Sequence, residues 1–125
     1  MGQPRWHRGG GFGDAIRGER GSVAAELAIA LPAALLALLL GVGALSAAAT
    51  QVSLQDAAAD AARLLGRGES ADRAACVVAA SVDGAHSASR ADGDLVCVTA
   101  SIDLRVGRVI SVPLRASSCA LAGGL

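Results

Sequence analysis

Apolar residues run from Leu27 to Leu45 without a single charge. As a helix this stretch of 19 residues would rise about 28 Å, enough to cross the hydrocarbon core of a bilayer. Pro32 lies within it, removes one backbone donor and is expected to kink the helix. Gly41 and Gly43 are small residues of the kind that let a second helix approach closely in a membrane. From Thr50 the pattern changes. Leu54, Ala57 or Ala58, Ala61, Leu64 and Leu65 recur at helical spacing, while Gln51, Gln55, Asp56, Asp60 and Arg63 lie mostly elsewhere. Val23 to Leu65 therefore reads as one helix in two halves, apolar all round to Ala49 and amphipathic from Thr50. Asp56 and Asp60, then Asp60 and Arg63, are spaced as neighbours on a solvated face. Gly66 and Gly68 supply stop signals.

A short second helix is expected over Glu69 to Ala80, with Ser70 as its N-cap. The period then falls from 3.6 to 2. Val96, Val98, Ala100, Ile102 and Leu104 share one face of a strand, and Cys97, Thr99, Ser101 and Asp103 share the other. Ile110, Val112, Leu114 and Ala116 continue the apolar face after a turn at Arg105 to Arg108. Ala91 to Asp94 form another turn, with a weaker strand near Ala85 to Arg90 before it. Pro113 cannot donate to a ladder, so its strand is expected at a sheet edge. The fold class is α+β: a long apolar-to-amphipathic helix, a short helix and a small antiparallel sheet.

Opposed residues in an antiparallel pair have a constant index sum. A sum of 216 sets Leu104 opposite Val112, Ile102 opposite Leu114 and Ala100 opposite Ala116. It also sets Cys97 opposite Cys119. A register shifted by two would put these cysteines on a diagonal. Their shared face favours a Cys97–Cys119 disulfide over either pairing with Cys76, which falls on the second helix. Such a bridge closes a loop of about 20 residues and contributes roughly 3 kcal/mol in the chain-entropy model.

Composition adds to this in three ways. The formal net charge of zero hides a basic leader, in which Arg5, Arg8, Arg17 and Arg20 outweigh Asp14 and Glu19. Basic residues just before an apolar run hold that side in the cytoplasm, so the rest is expected outside. Trp6 and Phe12 are the only aromatic residues, both in the leader, so the part after the helix lacks an aromatic core and is small enough to need a staple. The cysteines Cys76, Cys97 and Cys119 are odd in number, leaving one thiol over. For Cys76 a buried place on its helix is expected in preference to a reactive one. His7 and His86 are the only histidines and no cysteine pair has ligand spacing, so no metal site and no cofactor is expected. The glycines at 9, 10, 11 and 13 follow no strand and precede no P-loop lysine, and read as a flexible leader. No basic stripe is interleaved with aromatics, which speaks against nucleic acid.

Glu26 sits just inside the apolar run. A charge there costs about 2.5–3.5 kcal/mol by insertion scales unless it is neutralised, so an acidic residue points to function. The junction Arg20-Gly21-Ser22-Val23-Ala24-Ala25-Glu26-Leu27-Ala28-Ile29-Ala30-Leu31-Pro32 resembles type IV prepilins and pseudopilins. In that class a basic leader ends in Gly and a Glu stands fifth after it. With Pro six residues after Glu, it looks most like the TadE-like minor pilins of tight-adherence (Flp) pilus systems. Gln55 to Arg63 and the tail Ser118-Cys119-Ala120-Leu121 are similar to actinobacterial members. Ser22 departs from the Phe common at the first mature position of type IVa pilins; TadE-like proteins are looser there.

The resemblance implies cleavage between Gly21 and Ser22 by a prepilin peptidase on the cytoplasmic face. It implies that Glu26 pairs with the new ammonium at Ser22 of a neighbouring subunit. Pro32 is part of the same assembly helix. The implied partners are other pilin or pseudopilin subunits, the Tad inner-membrane assembly platform with its ATPase machinery, and membrane lipid. The expected organisation is a leader at 1–21, a transmembrane half at 22–49, its amphipathic continuation at 50–66 and a small extracytoplasmic domain at 67–125. The competing expectation is a small secreted or anchored binding protein, cut by signal peptidase at the small residues Ala47-Ala48-Ala49. Glu26 opposes it, since such signals avoid acids there. No nucleophile–base pair, apolar carboxylate pair or cofactor fingerprint is present, so no enzymatic activity is expected.

Overall fold

Helix α1, Phe12–Gly66, carries the chain through both predicted halves without a break in the computed structural model, which describes residues 2–3 and 12–123. It begins well before the expected start at Val23, so Phe12 to Arg20 of the predicted flexible leader are helical. The reason is cooperative: once the long helix is nucleated, each added residue costs little, and most of this stretch is made of adequate helix formers. Gly9 to Gly11 of the leader lie outside the described residues. The chain divides into two compact units, Met1–Gly41 and Val42–Leu125. The first holds the N-terminal part of α1, with most of its apolar run. The second is an α+β fold built on the rest of that helix.

The end of α1 is set by glycine. Gly68 takes a positive φ of 86°. The amide of Glu69 reaches the carbonyl of Leu64 at 3.0 Å, and that of Gly68 reaches Leu65 at 2.9 Å. This paired closure satisfies carbonyls the helix would otherwise leave open. Helix α2, Ala71–Ser81, follows at once, and the Ser70 hydroxyl accepts from the Arg73 amide as its N-cap.

Strands β1 (His86–Asp92), β2 (Leu95–Val106) and β3 (Ile110–Leu121) form an antiparallel meander in the order β1-β2-β3. The first turn is tighter than expected, a two-residue loop of Gly93 and Asp94 with Gly93 at φ 60°. The β2–β3 register has index sum 216: Ile102 faces Leu114, Ala100 faces Ala116 and Cys97 faces Cys119.

The core of this unit lies between α1, α2 and one sheet face. Leu54, Ala57, Ala58, Ala61 and Ala62 of α1 meet Ala74 and Val78 of α2, Val82 and Ala85 of the following segment, and Val98, Ala100 and Ala116 of the sheet. Leu54, Val78 and Val98 are the largest fully buried side chains. Eight of the twelve cluster members are alanine, so the helices lie close to the sheet and each remaining branched side chain matters more. The stripe differs from expectation in detail: both Ala57 and Ala58 are buried, Ala62 joins them, and Leu64 is only half-buried. Small side chains allow a wider buried arc than the larger ones would.

Candidate assembly helix

Among the described residues, nothing covers the large side chains of the apolar stretch of α1. Leu27, Ile29, Leu31, Leu35, Leu36, Leu38, Leu39, Leu40, Val42 and Leu45 are all exposed. The helix is long and apolar enough to cross a membrane. Ten such side chains left in water would be a severe liability, so this surface requires lipid or other helices around it.

Gly21, Ser22, Glu26 and Pro32 all lie on this helix and are all exposed. Ser22 and Glu26 are four residues apart, which sets them on one face about 6 Å apart along the axis. Among the described residues the ion pairs are Arg63–Asp60 at 3.1 Å and Arg73–Glu69 at 3.7 Å, so Glu26 has no basic partner there. Gly18 and Gly21 are the weak points of the helix at this junction. Each costs roughly 0.5–1 kcal/mol relative to alanine, which lowers the cost of opening the backbone beside Ser22. Pro32 has no N–H, so the carbonyl of Ala28 loses its usual helical donor.

The folded unit carries the remaining predicted site. Cys97 and Cys119 form a disulfide between directly opposed residues of β2 and β3, with Cα atoms 4.0 Å apart. That spacing marks a non-hydrogen-bonded pair, so odd-numbered residues of β3 turn their backbone groups toward the open edge. Pro113 is one of them. Its missing N–H therefore lies on the outer edge, where it costs no ladder bond.

The amphipathic half of α1 covers that edge, a use the sequence reading missed. The Gln51 side-chain amide donates to the carbonyl of Arg115 at 2.8 Å, and that of Gln55 to Ser117 at 3.2 Å. Further along, the Gly123 amide donates to the Gly66 carbonyl at 2.9 Å. These contacts occupy groups that would otherwise offer an edge for pairing with another chain. Two glutamines one turn apart on the border of an apolar stripe were the available signal.

Two expectations are corrected. Cys76 is exposed, not buried: α2 turns Ala74 and Val78 to the core, and position 76 lies across the helix from them. Ile110 and Val112, expected on the apolar face of the sheet, are exposed. The end of the β2–β3 hairpin extends past the last core residue, so the alternating pattern continues where nothing covers it.

A long apolar helix that fits a membrane anchor leads into a small disulfide-bearing α+β unit. The family model for TadE-like protein matches residues 21–63. That segment is TadE-like, consistent with a pilin-related component of a Tad pilus system, and it contains Ser22, Glu26, Pro32 and the amphipathic half of α1. No curated protein and no solved structure matches the chain.

Proposed function

We propose that this protein is a minor pilin or pseudopilin of a Tad-type pilus or related secretion machine, a structural subunit with no catalytic role. The observation that carries the reading is the wholly exposed apolar helix bearing Gly21, Ser22 and Glu26 within the TadE-like segment. A prepilin peptidase cleaves between Gly21 and Ser22 on the cytoplasmic side. Residues 22–49 hold the subunit in the membrane, and the C-terminal domain lies outside, where the Cys97–Cys119 bridge is stable. The assembly platform and its ATPase machinery then move subunits from the bilayer into a helical bundle.

Glu26 makes that transfer favourable. Cleavage creates an ammonium at Ser22. A neighbour shifted by one helical turn, about 6 Å, brings its Glu26 level with that ammonium. Two groups that are each costly in lipid become a pair, so assembly relieves the penalty that Glu26 imposes on the lone subunit. The exposed leucines exchange lipid for other helices at the same time.

The test is the mature N-terminus, read by intact mass and N-terminal sequencing of the membrane fraction from the native host. A start at Ser22 is expected. A start near Ala48 to Thr50 would remove Glu26 from the mature protein and overturn the reading in favour of a secreted domain cut by signal peptidase.

A further inference from the structure

The tip of the β2–β3 hairpin has no role in the fold. Val109 is 92% exposed and Ile110 60%, with Val106 and Val112 also exposed. Arg105 and Arg108 stand among them, and Arg105, Arg108, Val109, Ile110 and Ser111 line one shallow concavity. The nearest acid in the sequence is Asp103. An exposed aliphatic tip flanked by two guanidiniums and a hydroxyl is chemistry suited to the boundary between acyl chains and phosphate headgroups.

The contacts of α1 with β3 fix where this tip lies along the helix. Gln51 meets Arg115, Gln55 meets Ser117, and Gly66 lies against Leu121. From Gln51 to Gly66 the helix advances about 22 Å, and from Arg115 to Leu121 the strand advances about 20 Å. The two elements therefore run side by side in the same direction. Followed backward, Ile110 lies about 16 Å before Arg115, whereas Val42 lies about 13 Å before Gln51. The tip thus reaches at least as far back as Val42, within the last turn of the apolar run. The turn at Gly93 and Asp94 lies at the opposite end of the sheet.

On the reading that α1 spans a membrane, we infer that the β2–β3 hairpin tip dips into the outer face of the same bilayer. Val109 and Ile110 enter the acyl boundary while Arg105 and Arg108 engage anionic lipid phosphates. The subunit is then held at two points, which fixes the tilt of its domain before assembly.

The test uses the full chain with Trp6→Phe, so that a single introduced tryptophan reports. Val109→Trp is placed in vesicles of equal parts phosphatidylcholine and phosphatidylglycerol, with bromine-labelled acyl chains as quencher. Flotation of the vesicles reports anchoring independently. Blue-shifted emission and quenching by shallow bromines are expected at position 109, with neither at Asp94→Trp. Neutralising Arg105 or Arg108 to Gln should lower the inserted-to-free ratio of the tip roughly fivefold each in anionic vesicles. A chain that floats while position 109 stays water-like and unquenched overturns the hairpin proposal and leaves the anchor standing. A blue shift that grows with protein density without quenching assigns the tip to a second copy, and equally overturns it. A chain that fails to float overturns the anchor and the tip together.

Discussion

The two halves of α1 are made of similar residues and behave in opposite ways. From Leu27 to Leu45 the helix is leucine and alanine on every side, and its large side chains are exposed. From Thr50 to Gly66 it is again rich in alanine, yet Leu54, Ala57, Ala58, Ala61 and Ala62 are buried. The difference lies in where polar residues fall. Gln51, Gln55, Asp56, Asp60 and Arg63 confine the second half to one apolar face, and the chain supplies a sheet to cover it. The first half has no polar face, so no single domain could cover it. Hydrophobicity does not by itself say what a helix is for; its distribution around the axis does.

Glu26 offers the largest effect by which this contrast can be broken. On the proposed function it is the one group that makes the lone subunit costly in lipid and the assembled one favourable. Glu26→Leu should leave membrane accumulation intact while incorporation into sheared pili or pseudopili falls. Removing a penalty of about 2.5–3.5 kcal/mol corresponds to roughly a hundredfold change. Immunoblots of sheared and membrane fractions measure it, and undiminished incorporation would remove Glu26 from the mechanism.

Identical substitutions in the two halves come next. Leu54 is fully buried, and Leu54→Ala should destabilise the folded unit by about 2–5 kcal/mol. The alanine-rich surroundings offer few flexible side chains to fill the space, which favours the upper part of that range. Leu36→Ala changes an exposed side chain and should leave the unfolding of that unit unchanged. Thermal melts of the full chain in detergent, followed by circular dichroism, compare them directly. Equal shifts would mean that the halves are not energetically distinct.

The disulfide addresses how so small a core holds. Its cysteines are 22 residues apart, so the chain-entropy model gives about 3 kcal/mol. The paired variant Cys97→Ser with Cys119→Ser should lower stability by that amount. Cys76→Ser should not, because that thiol is free and exposed. Melts with and without reductant separate the two: reductant should destabilise the Cys76→Ser protein and leave the double variant unaffected.

This bridge was also the most legible long-range feature of the sequence. Alternation fixed which face each residue takes, and the requirement that apolar faces coincide narrowed the register until two cysteines met. Ser70 and Gly68 were legible for a similar reason, since capping depends on local chemistry. Features that depend on how far one element extends past another were not. The exposure of Ile110 and Val112 follows from the hairpin extending past the last core residue, and periodicity carries no record of that. The position of Cys76 turns on about half a helical turn, which separates it from the face of Ala74 and Val78. The Gln51 and Gln55 contacts needed the edge strand to be placed before they had acceptors. As for Gly21, Ser22 and Glu26, the sequence marked their positions on the helix, and on the proposed function their chemistry lies in partners outside the chain.

Glycine gives the finest comparison between the halves. An added Cβ at Gly41 meets open space, whereas at Gly66 it would lie 2.7 Å from the Leu121 carbonyl oxygen and 3.3 Å from the Ala120 Cβ. That oxygen belongs to backbone, so relief requires the end of β3 to move away from α1 and strains the Gly123–Gly66 hydrogen bond. Overpacking of this kind costs about 1–3 kcal/mol, and the improved helix propensity of alanine returns less at the last turn than the roughly 1 kcal/mol it offers mid-helix. Gly66→Ala should therefore lower the melting temperature of the folded unit, while Gly41→Ala should not. If Gly41→Ala instead reduces incorporation into pili at unchanged domain stability, the small residue at 41 serves approach by another helix. Glycine would then do the same job in both halves, admitting close contact with this chain's own sheet at 66 and with a neighbour's helix at 41.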